Sequence, residues 1–217
     1  MSPTGQTLLI GWATCDLTPD EPVLLAGQFH ARVSEGVMDP VTATALALEG
    51  ADGTAVVMVS CDLVGIPDDL RDAVRAELRQ ALPAVDPRAV FLNATHTHTA
   101  PDVHAAAHAP THDGDAPMWM DLGLPVMAPA AYVAMIAPRL AETIARAWRA
   151  RRPGGIGFGL GHAVVGHNRR IRYDDGITRM YGNTDDPHFS HVEGSEDHSV
   201  NVLATWDAKR TLTGHIA

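Results

Sequence analysis

Three apolar, strand-like runs fall within the first 61 residues, Thr7 to Ala13, Val41 to Glu49 and Ala55 to Cys61, and no helical pattern separates them. A regular doubly wound sheet needs a helix between successive parallel strands, so this opening argues against one. Helical periodicity begins only afterwards. Leu70, Val74 and Leu78 form one stripe and predict a helix over 68–82, and Tyr132, Ile136, Leu140, Ile144 and Trp148 predict a second over 129–151. Pro138 lies inside the second pattern and lacks a backbone N–H, so a kink or a helix start is expected there. Further strand-like runs at Ala89 to Ala94, Gly155 to Val165 and Val200 to Asp207 complete an α/β reading, a mixed β-sheet core flanked by helices. The two stripes are read as core.

With 46% hydrophobic and 19% charged residues among 217, the chain can bury a substantial core, and it reads as one domain or part of one. A net charge of -10 excludes a nucleic-acid backbone as partner, since that contact needs clustered Lys and Arg. The basic cluster Arg146 to Arg152 is expected to be a solvated helix end. No stretch approaches the ~20 apolar residues of a membrane span, so no transmembrane segment is expected, and the absence of a secretory leader points to a cytoplasmic protein. Cys15 and Cys61 are too few for a disulfide framework and read as small buried apolar residues.

Arg210 to Ala217 reads as the opening of a strand that stops without a turn or a polar tail. The expectation is a fold incomplete at the C-terminus, with a continuation or a second polypeptide completing the domain.

The strongest chemical signal is Asn93-Ala94-Thr95-His96-Thr97-His98-Thr99-Ala100-Pro101 at the end of a predicted strand. Side chains two apart on a strand share a face, so His96 and His98 are expected to project together, as a structural pair or as metal ligands. His104, His108 and His112 follow at spacings of four, but Pro110 and the segment around Asp113 to Asp115 disfavour a helix, and these three read as solvent-facing or pocket-rim residues. Asp62 at the end of a neighbouring strand has two readings, a partner that fixes the tautomer of a ligating histidine or a turn residue. Asp16, ahead of Thr18-Pro19, reads as a turn residue.

The Thr95-His96-Thr97-His98 core followed by Pro101 resembles the Thr-His-Thr-His-Ser-Gly-Pro signature of the neutral, non-lysosomal ceramidases. Asp16-Leu17-Thr18-Pro19 with Gly27, Asp39-Pro40, Ser60-Cys61-Asp62, Asn168-Arg169-Arg170 and Asp197 resemble further elements of that family in the same order, over nearly the full chain. Thr99-Ala100 departs from the family's Ser-Gly, and the segment Asp102 to Pro117 departs from its glycine-rich loop.

The resemblance implies that residues 1–217 are the N-terminal part of a ceramidase-like catalytic domain. It implies Zn2+ as cofactor, His96 as a metal ligand, and His98 and Arg169 as catalytic residues. It places the other ligands (a histidine, a glutamate and a tyrosine) and a nucleophilic serine element beyond Ala217; His215 sits too close to Gly214 to match the second histidine. The implied activity is zinc-dependent hydrolysis of an amide bond in N-acylsphingosine or a related N-acyl substrate, and a secreted location is the family's alternative to a cytoplasmic one. A non-catalytic metal- or substrate-binding module of the same fold, and a zinc-dependent esterase or phosphoesterase, are the rival readings.

Overall fold

The computed structural model describes residues 8–28, 30–104 and 125–217. The chain divides into two compact units, Met1–Gly155 and Ile156–Ala217. No described helix is long and apolar enough to cross a membrane.

The first unit contains β1 (Leu8–Asp16), β2 (Thr42–Glu49), β3 (Ala55–Cys61), α1 (Asp68–Ala81), β4 (Val90–Ala94), α2 (Pro129–Arg149) and the start of β5 (Arg152–His162). The sheet order here is β5-β1-β2-β3-β4, antiparallel except for the parallel pair β3–β4. The early strands without helices are thus antiparallel neighbours. Gly53 at a φ of 80° shapes the β2–β3 turn, where Asp52 accepts the Thr54 N–H at 2.9 Å. Only β3 and β4 need a crossover, and α1 supplies it.

Period-2 alternation sorts the sheet into a helix-facing row. Ala43, Ala45 and Ala47 pair with Cys61, Val59 and Val57, and these pack with Leu70, Val74 and Leu78 of α1 and Tyr132, Ile136, Leu140 and Ile144 of α2. The small alanines leave room for the two helices. The closest approach is at Gly11 of β1, where a Cβ would overlap the Ala147 carbonyl oxygen, so α2 lies directly on backbone there.

One sequence expectation is corrected in α2, that a helix starts at Pro138. The helix starts at Pro129 and runs through Pro138 without a new start. Pro138 and Ala134, whose carbonyl loses its i+4 donor, both lie on the exposed face of the helix. The basic cluster is solvated at Arg146, Arg149 and Arg152, as expected, while Arg151 turns inward, pairing with Glu49 at 2.9 Å and stacking 3.3 Å over the Trp148 ring. Cys15 and Cys61 are free thiols, and burial pushes the Cys61 thiol up to about 12.

In the second unit, β6 (Arg170–Tyr173), β7 (Thr178–Met180) and β8 (Phe189–Val192) form a sheet in the order β7-β6-β8. The rest of β5 belongs with β9 (Ser199–Asp207) and β10 (Leu212–Ile216), in the order β10-β9-β5. The strand read at Arg210 to Ala217 is therefore β10, antiparallel to β9. Its turn is built on Asp207, whose Oδ1 accepts the N–H groups of Lys209 and Thr211 at 2.8 Å each. Ile156, Phe158 and Leu160, one side of β5, are exposed, with Phe158 at 78%.

Candidate functional site

The parallel pair β3–β4 decides where the histidines lie. Both strands end at the same edge, and in open α/β sheets ligands sit outside the carboxyl ends of parallel strands. There the chain after β4 crosses to the chain after β3: the Thr95 N–H donates to the Cys61 carbonyl at 2.9 Å and the His96 N–H to the Leu63 carbonyl at 3.0 Å. His96 is exposed and takes a left-handed φ of 62°, which is uncommon outside glycine.

His96 Nδ1 lies 2.6 Å from the Val64 carbonyl oxygen. A carbonyl only accepts, so Nδ1 carries the proton and Nε2 keeps its lone pair for a ligand. The His96 and His98 rings meet edge to face, with centroids 4.9 Å apart and planes at 76°. The expectation that they project together holds, but strand alternation is not the cause. Strand β4 has ended at Ala94, and the positive φ at His96 turns the two rings toward each other.

Other residues singled out by the motif reading fall into different roles. The Asp62 carboxylate accepts from the Thr42 hydroxyl at 2.7 Å and the Thr42 N–H at 3.1 Å, pinning β2 to β3, and it meets no histidine among the described residues. Asp16 is a turn residue, as expected: the Thr18 N–H donates to it at 2.7 Å, and hydrogen bonds from Thr18 hold its carboxyl below the usual range. His104 is not a solvent-facing residue. Its Nδ1 lies 2.6 Å from Oδ1 of the fully buried Asp102, and that hydrogen bond raises its pKa despite partial burial. His108 and His112 lie outside the described residues.

Arg169 belongs to the second unit. Its Nη1 donates to the Tyr181 hydroxyl at 2.5 Å, with the guanidinium 4.8 Å over the Tyr181 ring. The preceding Asn168 accepts from the Arg170 N–H at 3.0 Å and donates to the Glu193 carbonyl. His215 lies on β10 opposite Ala204.

Two residues neighbour His98: Gly27, named in the motif reading, whose backbone lies against the ring, and Arg32, which carries no signal in the sequence and whose Nη2 donates to the His98 carbonyl. A lone arginine 66 residues before the histidine it holds leaves no local pattern to find. Beside the histidine loop is an open cavity of about 480 Å³, lined by Val23, Leu25, Val41 and Met38, by Thr99 and Pro101, and by the acidic residues Asp20, Glu21, Glu35 and Asp39.

The chain aligns with a crystal structure of neutral ceramidase from Pseudomonas aeruginosa over 97% of its own length, with a TM-score of 0.69 and 23% identity. The fold is that of a neutral ceramidase. A second similar structure, a ceramidase complexed with C2, gives a TM-score of 0.68 and 22% identity over 97% of the chain. The chain spans 31% and 30% of those two proteins, so it matches less than a third of a ceramidase. No protein-family model and no curated protein matches the sequence.

The donor set fits zinc in part. His96 presents Nε2 with its tautomer fixed by a carbonyl, an arrangement typical of a metal-ligating histidine. Among the described residues no group of three or more His, Cys, Asp or Glu converges, whereas a catalytic zinc takes three protein ligands. The described residues therefore do not by themselves form a closed zinc site.

Proposed function

We propose that the protein is a zinc-dependent hydrolase that cleaves the amide bond of an N-acyl substrate of the N-acylsphingosine type, acting as part of a longer ceramidase-like domain. The observation that carries this reading is the His96 ring, exposed at the carboxyl end of a parallel strand pair with Nδ1 committed to the Val64 carbonyl, on a ceramidase-like hydrolase fold. Zinc, when bound at Nε2, supplies a Lewis acid that polarises a carbonyl and lowers the pKa of a water to about 7.

The chain's own residues do the rest. His96 holds the metal position without losing its tautomer, because Val64 accepts the other ring proton. His98, whose ring centroid lies 4.9 Å from that of His96, is given the role of donating from a ring nitrogen to the oxygen that develops charge. The apolar part of the cavity beside Thr99, at Val23, Leu25, Val41 and Met38, offers a surface for hydrocarbon. The part given to Arg169 rests on its chemistry alone: a planar fork of donors suits an oxyanion or a product carboxylate. The ligands that would close the zinc set lie outside the described residues.

One observation favours a second reading. Only two histidines meet at the site among the described residues, which also fits a metal- or substrate-binding module without catalysis. Zinc analysis of the full-length protein, with turnover of N-acyl and phosphoester chromogenic substrates, separates the readings. Zinc-dependent release from the N-acyl substrate supports the amidase. Zinc without turnover of either substrate supports the binding module, and preferential phosphoester cleavage contradicts both.

A further inference from the structure

The segment before β2 wraps the histidine loop. Leu24 bridges Val33 on one side and Leu25 bridges Pro101 on the other, while the Ala26 N–H donates to the Ala100 carbonyl at 3.0 Å and the Leu25 N–H to the Arg32 carbonyl at 2.9 Å. Two residues at the ends of the connecting turn then reach His98 from different directions. Gly27 has a φ of +89°, and a Cβ there would overlap His98 Cγ, so the ring rests directly on glycine backbone. Arg32 donates from Nη2 to the His98 carbonyl, and its buried Nε has no partner among the described residues. An unpartnered buried donor is costly, and the fold keeps the guanidinium at this carbonyl despite that cost.

We propose that Gly27 and Arg32 are positioning residues whose shared task is to fix the His98 ring against His96. This rests on the reading of His98 as the group that meets the reacting oxygen. Without Arg32 the carbonyl is free to rotate, and the peptide plane that carries the ring rotates with it. With any side chain at position 27, the ring must leave its seat. The two residues act on one imidazole through opposite ends of the same amino acid, which bulk packing of the loop does not require.

The test uses the full-length protein and three variants, Gly27→Ala, Arg32→Met and Arg32→Lys. Proton–carbon NMR of the histidine rings reports the His98 position independently of activity, and steady-state kinetics on an N-acyl substrate reports catalysis. Gly27→Ala and Arg32→Met are expected to shift the His96 and His98 ring signals, keep zinc content, and lower kcat about 100-fold at an unchanged KM, as a misplacement of about 1 Å does. Arg32→Lys restores a donor and is expected to recover the ring signals and part of kcat. Should Gly27→Ala not fold, the Met and Lys pair at position 32 decides alone. Unshifted ring signals in folded Arg32→Met overturn the proposal whether or not the wild type hydrolyses an amide. Shifted signals in a protein without amidase activity leave the positioning intact and remove the amidase reading instead.

Discussion

His96 combines a backbone conformation that favours glycine with a side chain expected to hold metal, and the two can be separated by substitution. His96→Gly relieves the positive φ but loses the bond to Val64, two opposing effects of about 1 kcal/mol each. Thermal unfolding should therefore move little while zinc binding is lost. A large fall in melting temperature with zinc retained would show His96 to be structural. The Asp102–His104 pair gives a pH-dependent prediction. The folded-state pKa of His104 is raised by its hydrogen bond to Asp102, so the pair's stabilisation is complete below the unfolded value of about 6.5 and fades as pH rises through the folded value. Chemical denaturation of His104→Ala should show a loss of about 3 kcal/mol at pH 5.5, because the buried Asp102 is left without its cation. That loss should shrink in alkaline solution; an equal loss across the range would mean that packing and not the ion pair is at stake. The histidine motif was legible in the sequence because two imidazoles one residue apart are rare without a reason. The Val64 carbonyl and Arg32 were not, because a backbone oxygen and a distant side chain become partners only once β3 and β4 lie side by side.

The long elements declared themselves by periodicity. Strands β2, β3, β4 and β9 and helices α1 and α2 fall within a few residues of the segments read from alternation and stripes. Strands β6, β7 and β8 did not, since three or four residues carry no measurable period and their side chains are largely polar or exposed. At Pro138 a local rule met a stronger tertiary one: ten buried residues of α2 keep the helix continuous through a residue that ends isolated helices. At Gly11, β1 lies directly against the backbone of α2. Gly11→Ala must push the Ala147 carbonyl away from the strand and is expected to cost about 1–3 kcal/mol in a urea melt, as overpacking does. An unchanged melt would mean that β1 and α2 can separate without penalty.

For the molecule as a whole, the exposed row Ile156, Phe158 and Leu160 is a liability in the 217-residue chain expressed by itself. Phe158→Ser should leave the unfolding free energy within about 0.5 kcal/mol and reduce self-association in sedimentation velocity. A large loss of stability would show that Phe158 packs inside the unit. The central claim is that the strand-end pair at His96 and His98 is the metal-bearing corner of an amide-hydrolysing site, and a single measurement bears on it most directly: zinc content alongside N-acyl amide turnover of the full-length protein, for wild type and His96→Ala. The account requires one zinc per chain and zinc-dependent turnover in the wild type, and the loss of both in a folded His96→Ala. A folded His96→Ala that keeps its full complement of zinc would contradict it.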